Sequence, residues 1–539
     1  MRRPSITILA AALLAFGLTT CESPNWPAYR HSGLRQGEQD HETDLSDPAK
    51  VPALAVRWTF TPPSGEAGSF YGSPIVVHHR VFIGSTSGYF YAIDAKTGGL
   101  IWQFPPHGHP LMGTCAGGGG TQTFGQYGVM SSAAYFDDTV VFGAPDPDPA
   151  TDSGLGSGRL WALKESDGSL VWKSDVVAHV NGCTPGNVAP ELHERIAYSA
   201  PLVSEDAVYV GTHDAGDDPI QNGKVMAVDR ATGHLLPGFS YSSTNSRGGG
   251  VWNGPAAEHD SLLFTTGNTR CDGAGCQSPE PSPNRGLSMV KIDRKTGAVQ
   301  WQFQPVPYDL DDDPDWSAGV TVMETSCGRL ATSVQKDGWT YALEAGSGSC
   351  SWQFPPTAGP GCKFAPGGAH IHGDTDYKRP GAAWEDVLVI NTGGEALVHD
   401  GVGAGYGRLH ALNACAPDEL HRVRWLVDVP HASGSGYSIG APTVTGGVVY
   451  VTTDQGHVVA LADPLILGGA AAGYRCSNID FTTLAACTVA GYAWVPIPKV
   501  LADVPLDGSS AAGLRNEAAI AHGRLFVSTV GGHVYMLSP

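Results

Sequence analysis

Five segments of the chain carry side chains whose types and spacing could support chemistry. They are residues 212–229, 248–257, 262–269, 308–319 and 333–344. Within them, Trp252 offers a large, rigid aromatic face, and Asn268 offers an amide oxygen. Ca²⁺ accepts such neutral oxygens as well as carboxylates. Lys336 offers a cation that can polarise a carbonyl group. These groups could therefore hold a flat carbonyl compound beside a metal ion.

Each of these groups also has a purely structural interpretation. Trp252 could be a packing aromatic, Asn268 a turn residue, and Lys336 a solvated lysine of a Lys-Asp-Gly turn. The acidic run 308–319 could be a surface loop. Its alternating aspartates are Asp309, Asp311, Asp313 and Asp315. They could also form an independent Ca²⁺ loop, but the run lacks the Gly and the distal Glu of an EF-hand.

A repeated strand–turn–strand unit must position these segments. Its clearest copy is YAIDAKTGGLIW, Tyr91–Trp102, in which Asp94–Gly98 forms the turn and Trp102 lies on the returning strand. Asp can bond the backbone two residues further on, and Gly supplies a positive φ. Further copies are Ala162–Trp172, Ala227–Pro237, Val290–Trp301, Ala342–Trp352, Ala411–Trp425, Val459–Pro464 and Val534–Pro539.

The units predict an all-β, eight-bladed β-propeller. Each has an upstream half such as GSPIVVHHRVFIGS, Gly72–Ser85, where Val, Ile and Phe bounded by turn residues indicate a hairpin. Two hairpins make a four-stranded blade, and repeated blades make a propeller. The last unit lacks its Trp strand, whereas an orphan strand, Val56–Phe60, precedes the first unit. We therefore predict that this N-terminal strand completes the eighth blade and closes the ring.

Composition and the N-terminus restrict location and partners. The 539 residues include 32 basic and 52 acidic side chains, a net charge of −20, which disfavours nucleic acid as a partner. Arg2 and Arg3 precede the apolar run Ile6–Leu18, as in a secretion signal that is too short to span a membrane. The predicted divisions are a signal peptide at 1–20, a linker and entry segment at 21–50, and the propeller at 51–539.

The cysteines indicate an oxidising compartment. The segment Leu18–Cys21 resembles the lipobox of bacterial lipoproteins, so we expect a lipid on Cys21 and a periplasm-facing or surface lipoprotein, in the outer membrane. Ten further cysteines, an even number, can pair as disulfides. The expected pairs are Cys271–Cys276, Cys327–Cys350 and Cys476–Cys487. The pairing of Cys115, Cys183, Cys362 and Cys415 stays open.

The repeats resemble those of pyrroloquinoline quinone (PQQ) propellers from Trp26 onward. Residues 25–37 also resemble the entry segment of quinoprotein alcohol and polyvinyl alcohol dehydrogenases. The resemblance implies that Trp252 is the floor on which PQQ stacks, and that Asn268 is a Ca²⁺ ligand. It also implies that Lys336 binds PQQ and polarises its reactive carbonyl.

The resemblance also implies two carboxylates. Asp315 would be the general base and a Ca²⁺ neighbour, with Asp313 as the alternative. In several family members this acid follows an aromatic residue, whereas here Asp315 precedes Trp316, so either aspartate would act as the base only with a shifted loop. A second Ca²⁺-binding carboxylate is expected in the first of the five segments, where Asp218 is preferred to Asp214 and Asp217. The adjacent cysteines found near this place in many family enzymes are absent from the sequence.

We therefore expect a lipid-anchored quinoprotein dehydrogenase that oxidises a small or polymeric alcohol, or a polyol, by hydride transfer to Ca²⁺-bound PQQ. Electrons would leave through a separate cytochrome or quinone, because the sequence has no Cys-x-x-Cys-His haem motif. Its one membrane contact would be lipidated Cys21. The alternative is a non-catalytic propeller that acts as a scaffold in envelope protein assembly. A third possibility is a descendant that has kept the pocket and lost the base.

Overall fold

The structure is a computed structural model. It describes residues 25–112, 128–148, 150, 156–179, 194–213, 222–243, 248–268, 285–306, 316, 318–335, 339–356, 362, 382–391, 407–432, 439–469, 471–478, 481–506 and 516–539. These residues contain eight antiparallel sheets, which confirms the predicted all-β, eight-bladed propeller. Their short helices are two 3₁₀ turns and α1: Val51–Ala53, Glu419–His421 and α1 (Leu484–Val489). No helix in these ranges has the length and apolar character needed to cross a membrane.

The first strand along the chain, β1 (Ala55–Phe60), belongs to the last blade. Blade 1 contains β2 (Ile75–Val77), β3 (Arg80–Gly84), β4 (Phe90–Asp94) and β5 (Leu100–Phe104). Blade 2 contains β6 (Ala134–Phe136), β7 (Thr139–Pro145), β8 (Gly158–Lys164) and β9 (Leu170–Lys173). Blade 3 contains β10 (Leu202–Val203), β11 (Ala207–Thr212), β12 (Lys224–Asp229) and β13 (Tyr241–Ser242). Blade 4 contains β14 (Ala256–Glu258), β15 (Ser261–Thr265), β16 (Met289–Asp293) and β17 (Val299–Phe303).

The second half of the ring repeats this plan with one addition. Blade 5 contains β18 (Thr321–Thr325), β19 (Gly328–Val334), β20 (Thr340–Glu344) and β21 (Cys350–Phe354). Blade 6 contains β22 (Ala382–Trp384), β23 (Val387–Asn391), β24 (Arg408–Asn413) and β25 (Val423–Asp428). Blade 7 contains β26 (Thr443–Thr445), β27 (Val448–Thr452), β28 (His457–Ala462), β29 (Ala471–Cys476) and β30 (Trp494–Pro505), with β29 as an added outer strand. Blade 8 contains β31 (Ala519–Ala521), β32 (Arg524–Ser528) and β33 (Val534–Ser538), followed in the sheet by β1.

The core of the ring lies between the faces of adjacent blades. The inner strands are covered on both faces, so that β2 and β26 are buried at every position. Phe90 of blade 1, for example, stacks on Phe142 of blade 2 with ring centroids 4.0 Å apart. Two-sided burial favours successive apolar residues, as in Ile75–Val77 of β2, whereas β26 buries Thr443 and Thr445 beside Val444.

The repeated tryptophan joins several blades to the next. Trp102 on β5 donates from Nε1 to the Glu165 carbonyl of blade 2 at 3.0 Å. Its indole covers Gly168, where a Cβ would lie 2.7 Å from the ring. Gly168 also has a φ of +72°, so both the close approach and the backbone conformation require glycine. The same packing joins Trp172 to Gly233 and Trp301 to Gly348.

The N-terminal strand closes the ring, as predicted. In the register of β1 and β33, Phe60 lies opposite Val534. Trp58 of β1 then crosses to blade 1, where its Nε1 donates to the Ala95 carbonyl at 3.2 Å and its ring covers Gly98. The first strands of blades 8 and 1 are also in contact. The closure between blades 8 and 1 therefore has the same tryptophan–glycine contact as the junctions between blades 1 and 2, 2 and 3, and 4 and 5.

Residues 25–39, here called the axial segment, contact all eight blades. The first strand of each blade lies at one edge of its sheet, and most neighbouring first strands contact one another. The axial segment forms backbone hydrogen bonds with six of these edges, at Val76, Tyr135, Ala257, Val322, Ala383 and Val444. Side chains reach the other two blades: Arg35 donates to the Pro201 carbonyl and Gln39 to the Ile520 carbonyl. Edges that would otherwise be exposed are thereby paired.

Two buried arginines fix the axial segment. The Arg30 guanidinium donates to Glu517 Oε2 at 2.8 Å and to the Pro442 carbonyl at 2.7 Å. The Arg30 backbone NH donates to Glu517 Oε1 at 2.7 Å. Arg35 Nε donates to the Pro255 carbonyl at 3.1 Å. Burial lowers the pKa of Arg35 to about 10, so this side chain remains charged at neutral pH.

The disulfides of the described residues correct one prediction and confirm another. Cys476–Cys487 is present as predicted, with an S–S distance of 2.01 Å, and links β29 to α1. The predicted Cys327–Cys350 pair is wrong, because Cys327 bonds Cys415 and Cys350 bonds Cys362. Cys271–Cys276 lies outside the described residues.

The correction has a geometric cause. Cys327 lies in the turn between β18 and β19, and Cys350 begins β21. Strand β20 lies between β19 and β21, so two strand spacings, about 9–10 Å, exceed the reach of about 7 Å between disulfide Cα atoms. Cys415 of blade 6 is closer across the blade junction, with a Cα–Cα distance of 5.6 Å.

Candidate cofactor site

Trp252 and Asn268 lie at the same end of blade 4. Trp252 precedes β14, and Asn268 follows β15. The backbones beside them pair directly: Gly267 NH donates to the Gly250 carbonyl at 2.8 Å, and Gly249 NH donates to the Asn268 carbonyl at 2.7 Å. The segment entering blade 4 is therefore joined to the segment leaving its second strand. The structure brings together the predicted aromatic floor and the predicted amide ligand.

The glycine run before Trp252 allows this close pairing. Gly249 has a φ of +68°, and a Cβ there would lie 2.5 Å from Ser243 Oγ. A Cβ at Gly250 would lie 2.9 Å from His213 Cβ and 3.2 Å from Trp252 Nε1. Any larger residue would push the backbone away from blade 3. The glycines thus position the indole against His213.

Trp252 belongs to a cluster of three aromatic side chains from two blades. Its partly exposed indole stacks on His213, with ring centroids 4.1 Å apart and planes inclined by 25°. Tyr198 lies 5.7 Å from His213 and 6.1 Å from Trp252, measured between ring centroids. His213 itself is held at the end of β11, because its backbone pairs with that of Arg195. Blade 3 therefore supports the indole on blade 4.

The cluster extends into an arc around one end of the axis. Trp252 lies four residues before the first strand of its blade. The equivalent residues of blades 1, 2 and 3 are Tyr71, Met130 and Tyr198. Met130 packs with Tyr71 and Tyr198, and Tyr198 adjoins Trp252. We call Tyr71, Met130, Tyr198 and Trp252 the aromatic arc.

Sequence reasoning missed Tyr198 and His213. Comparison of the upstream halves of the repeats could have identified Tyr198, because Tyr71, Tyr198 and Trp252 occupy the same repeat position. His213 carries no such signal, since its role depends on the contact between blades 3 and 4. The described part of the site is therefore more aromatic than predicted.

The remaining predicted site residues lie outside the described residues. They are Asp218, Asp315 and its alternative Asp313, Lys336 and Cys21. Their described neighbours are held in blade 5: Trp316 is fully buried and lies 5.5 Å from the Tyr341 ring, and Gln335 NH donates to the Trp339 carbonyl at 2.7 Å. The catalytic roles of Asp315 and Lys336 stay predictions.

The described residues fit a planar aromatic cofactor. Trp252 supplies a partly exposed indole supported by His213, and the buried amide of Asn268 lies at the same end of the blade. Stacking and amide coordination are the two interactions that a quinone bound with Ca²⁺ would require of these residues. Fold and site together define a propeller of the quinoprotein type.

Comparison with known proteins identifies the family. The chain belongs to the PQQ family described as glucose/ethanol/alcohol dehydrogenase, β-propeller domain, whose family model matches residues 26–361. The match covers the axial segment and the first five blades. The resemblance inferred from the repeats is thereby confirmed.

Individual relatives are distant. The chain is 24% identical to the tetrathionate hydrolase of Acidithiobacillus ferrooxidans over 73% of each chain. It is 24% identical to the polyvinylalcohol dehydrogenase of a Sphingopyxis species over 51% of this chain, but over only 38% of that enzyme. The crystal structure of the quinohemoprotein alcohol dehydrogenase from Comamonas testosteroni superposes with a TM-score of 0.63 at 16% identity, covering 95% of this chain and 80% of that one. This structural likeness shows a shared fold.

Proposed function

We propose that this protein is a PQQ-dependent dehydrogenase that oxidises an alcohol or a polyol. The observation that carries the proposal is the stacking of Trp252, a member of the aromatic arc, on His213. Membership of the PQQ dehydrogenase family supports it. So does the position of Asn268, whose backbone is bonded to the glycine run that precedes Trp252.

In this proposal, each residue has a defined task. When bound, PQQ supplies a carbonyl carbon that accepts a hydride from the alcohol. Trp252 orients the flat ring system by stacking, with His213 behind it. Asn268 and Asp218 supply oxygen ligands for Ca²⁺. Lys336 would place its cation beside the reactive carbonyl of PQQ, and Asp315 would take the hydroxyl proton from the substrate.

The electrons must then pass to a second protein or to a quinone. The sequence has no Cys-x-x-Cys-His haem motif, and the chain spans well under half of the polyvinylalcohol dehydrogenase that it matches. One relative, the lupanine 17-hydroxylase of a Pseudomonas species, is named with cytochrome c. We propose a separate cytochrome or quinone as the electron acceptor.

Replacement of Trp252 by Ala tests the cofactor site. We expect wild-type protein to bind PQQ with Ca²⁺ at one equivalent. Trp252→Ala should weaken binding about 5- to 150-fold, because loss of a stacking aromatic costs about 1–3 kcal/mol. Isothermal titration calorimetry with PQQ and Ca²⁺ measures the change. Tyr474→Ala is the matched control, because Tyr474 is an exposed aromatic on β29 of blade 7. Equal affinity in all three proteins, or no binding by wild type, contradicts the proposal.

A dye-linked alcohol oxidation assay on the PQQ-loaded protein separates binding from catalysis. Binding with alcohol-dependent dye reduction supports the dehydrogenase. Binding without dye reduction for any alcohol or polyol tested indicates a propeller that has kept the pocket and lost its base. Absence of both favours the non-catalytic envelope scaffold.

A second candidate function is hydrolysis of a sulfur compound such as tetrathionate. It is favoured by the extent of the match to tetrathionate hydrolase, which covers 73% of each chain, whereas the dehydrogenase relatives are covered over less than half of their length. Consumption of tetrathionate by the purified protein, without PQQ dependence, would support this candidate over the dehydrogenase.

We also propose that the protein is a lipoprotein of the bacterial outer membrane, anchored through Cys21. We expect Cys21→Ser to move the protein from the membrane fraction to the soluble periplasmic fraction and to abolish labelling by a fatty-acid analogue. Ser23→Ala, two residues away, is the control and should remain in the membrane fraction. Wild-type protein that is soluble and unlabelled would rule out the anchor.

A further inference from the structure

A group of two imidazoles and one carboxylate lies where blade 6 meets blade 7. His457 Nδ1 lies 2.7 Å from Asp503 Oδ1, and His431 Nε2 lies 3.0 Å from Asp503 Oδ2. The two imidazole rings stack at 3.8 Å with planes inclined by only 11°. We propose that His431, His457 and Asp503 bind a divalent transition metal ion that links blade 6 to blade 7.

The three ligands come from three separate segments. His457 begins β28, and Asp503 lies near the end of the adjacent β30, where it pairs with Val459. His457 and Asp503 are therefore diagonal neighbours on one face of blade 7. His431 follows β25, the last strand of blade 6. A metal bound by all three would connect two blades that have no shared sheet.

The backbone of His431 supports a specific role for this side chain. His431 has a φ of +56°, in the left-handed region that residues other than glycine rarely adopt. Unlike His78 and His259, which have positive φ in the tight turns between adjacent strands, His431 lies in a connection between blades. Such conformations persist where surrounding contacts hold them and are frequent at ligand sites.

The spacing of the ligand atoms is close to that of a metal site. Zinc lies about 2.0–2.2 Å from nitrogen and oxygen ligands in tetrahedral geometry, so two ligand atoms are about 3.3 Å apart. The observed separations of 2.7 and 3.0 Å run to the two different oxygens of Asp503, and the ligand atoms of all three residues lie within 4.8 Å of one another. The two stacked rings must turn toward a common ion, because an imidazole nitrogen coordinates in the plane of its ring. The side chains of His431, Asp503 and His457 are 45%, 29% and 19% exposed, so an ion can enter from solvent and keep water as a further ligand.

The charge around Asp503 also favours a cation. Among the described residues, the ion-pair partners of Asp503 are these two histidines, with no Lys or Arg. A second cluster, His78, Asp138 and Glu165, differs in this respect because Arg80 already forms an ion pair with Glu165. A fixed guanidinium beside a carboxylate opposes binding of a second cation, so the cluster at blades 6 and 7 is the stronger metal site.

The ligand set selects the type of metal. Imidazole suits Zn²⁺, Cu²⁺ and Ni²⁺, whereas Ca²⁺ and Mg²⁺ prefer sites made wholly of oxygen. Two histidines and one aspartate therefore point to a first-row transition ion, and Zn²⁺ is the probe of choice. The site is separate in composition from the oxygen-ligated Ca²⁺ proposed at Asn268.

Zinc titration of tag-free protein tests the site. The full chain is titrated with Zn²⁺ in competition with a chromophoric chelator, with excess Ca²⁺ present to occupy oxygen-rich sites. We expect Asp503→Asn and His457→Gln each to remove one zinc equivalent, or to weaken its binding at least tenfold. His421→Gln is the matched control, because His421 forms an exposed pair with Asp418 at 2.6 Å on blade 6 without a third ligand.

Thermal unfolding tests separately whether the bound metal links blade 6 to blade 7 and thereby stabilises the protein. We expect Zn²⁺ to raise Tm in wild type and in His421→Gln, but not in His431→Gln, which lacks the ligand from blade 6. Zinc binding that is unchanged in both Asp503→Asn and His457→Gln would overturn the metal site. An equal rise in Tm with zinc in wild type and His431→Gln would overturn the proposed link between blades 6 and 7. Both measurements are made without PQQ, so they are independent of the proposed dehydrogenase activity.

Discussion

Replacement of residues 51–60 by a flexible Gly/Ser linker of the same length is expected to lower Tm by about 5–10 °C. The replaced segment contains β1, which pairs with β33 and supplies the fourth strand of blade 8. It also buries Val51, Leu54 and Phe60. Burial of three apolar side chains contributes about 5–9 kcal/mol, and for a chain of this size about 1 kcal/mol corresponds to about 1 °C.

The linker keeps the connection between the axial segment and blade 1, so the experiment isolates the missing strand. Trp58→Ala is the companion variant, because it keeps β1 paired and removes only the indole that covers Gly98. It should lower Tm by less than the full replacement. Differential scanning calorimetry measures both. A linker variant with the Tm of wild type would show that β1 does not hold the ring closed.

Replacement of Glu517 by Leu is expected to cost about 3–5 kcal/mol of unfolding free energy, because it leaves a buried charge without its partner. Arg30 and Glu517 have no exposed side-chain surface. Glu517 accepts hydrogen bonds from both the guanidinium and the backbone NH of Arg30. Its removal deprives the guanidinium of this carboxylate, in a place that water does not reach.

Denaturant unfolding measures this loss, and two further variants show its cause. The double variant Arg30→Met with Glu517→Leu removes both charges and should recover part of the lost stability. Lys50→Met breaks the half-exposed pair of Lys50 and Asp44 and should cost less than about 1 kcal/mol. If Glu517→Leu unfolds at the same denaturant concentration as Lys50→Met, the buried pair does not stabilise the axial segment as described.

The architecture was predictable because its signals are local. The turn Asp94–Gly98 needs an Asp oxygen for the backbone NH groups of Lys96 and Thr97 and a positive φ at Gly98. The same Asp, Thr and Gly recur in blades 3 and 4, at Asp229–Gly233 and Asp293–Gly297. With the weaker copies, such turns allowed the eight units to be counted in the sequence. Trp252 and Asn268 were predicted from short, contiguous family motifs, and their roles at the site stay predictions.

The contacts between distant segments were not predictable in this way. Cys327 pairs with Cys415 across a blade junction, and no spacing rule within one blade reveals such a partner. His213 supports Trp252 only because blades 3 and 4 lie side by side. The axial segment lacks the alternation of a strand, since most of its contacts to each blade are one or two backbone hydrogen bonds. The geometry of the ring, rather than local propensity, decides the partner of Cys327, the support of Trp252 and the contacts of the axial segment.

The axial segment also imposes an order of events on folding. Arg30 is synthesised first, yet its partner Glu517 follows 487 residues later. At about 5–20 residues per second, translation takes roughly half a minute to a minute and a half to reach that partner. During this time, blades formed early have exposed first-strand edges that residues 25–39 cannot yet bridge around a complete ring. Docking of this segment should therefore be the last and slowest step in folding, and a chain stopped before blade 8 should retain open edges that recruit chaperones or other chains.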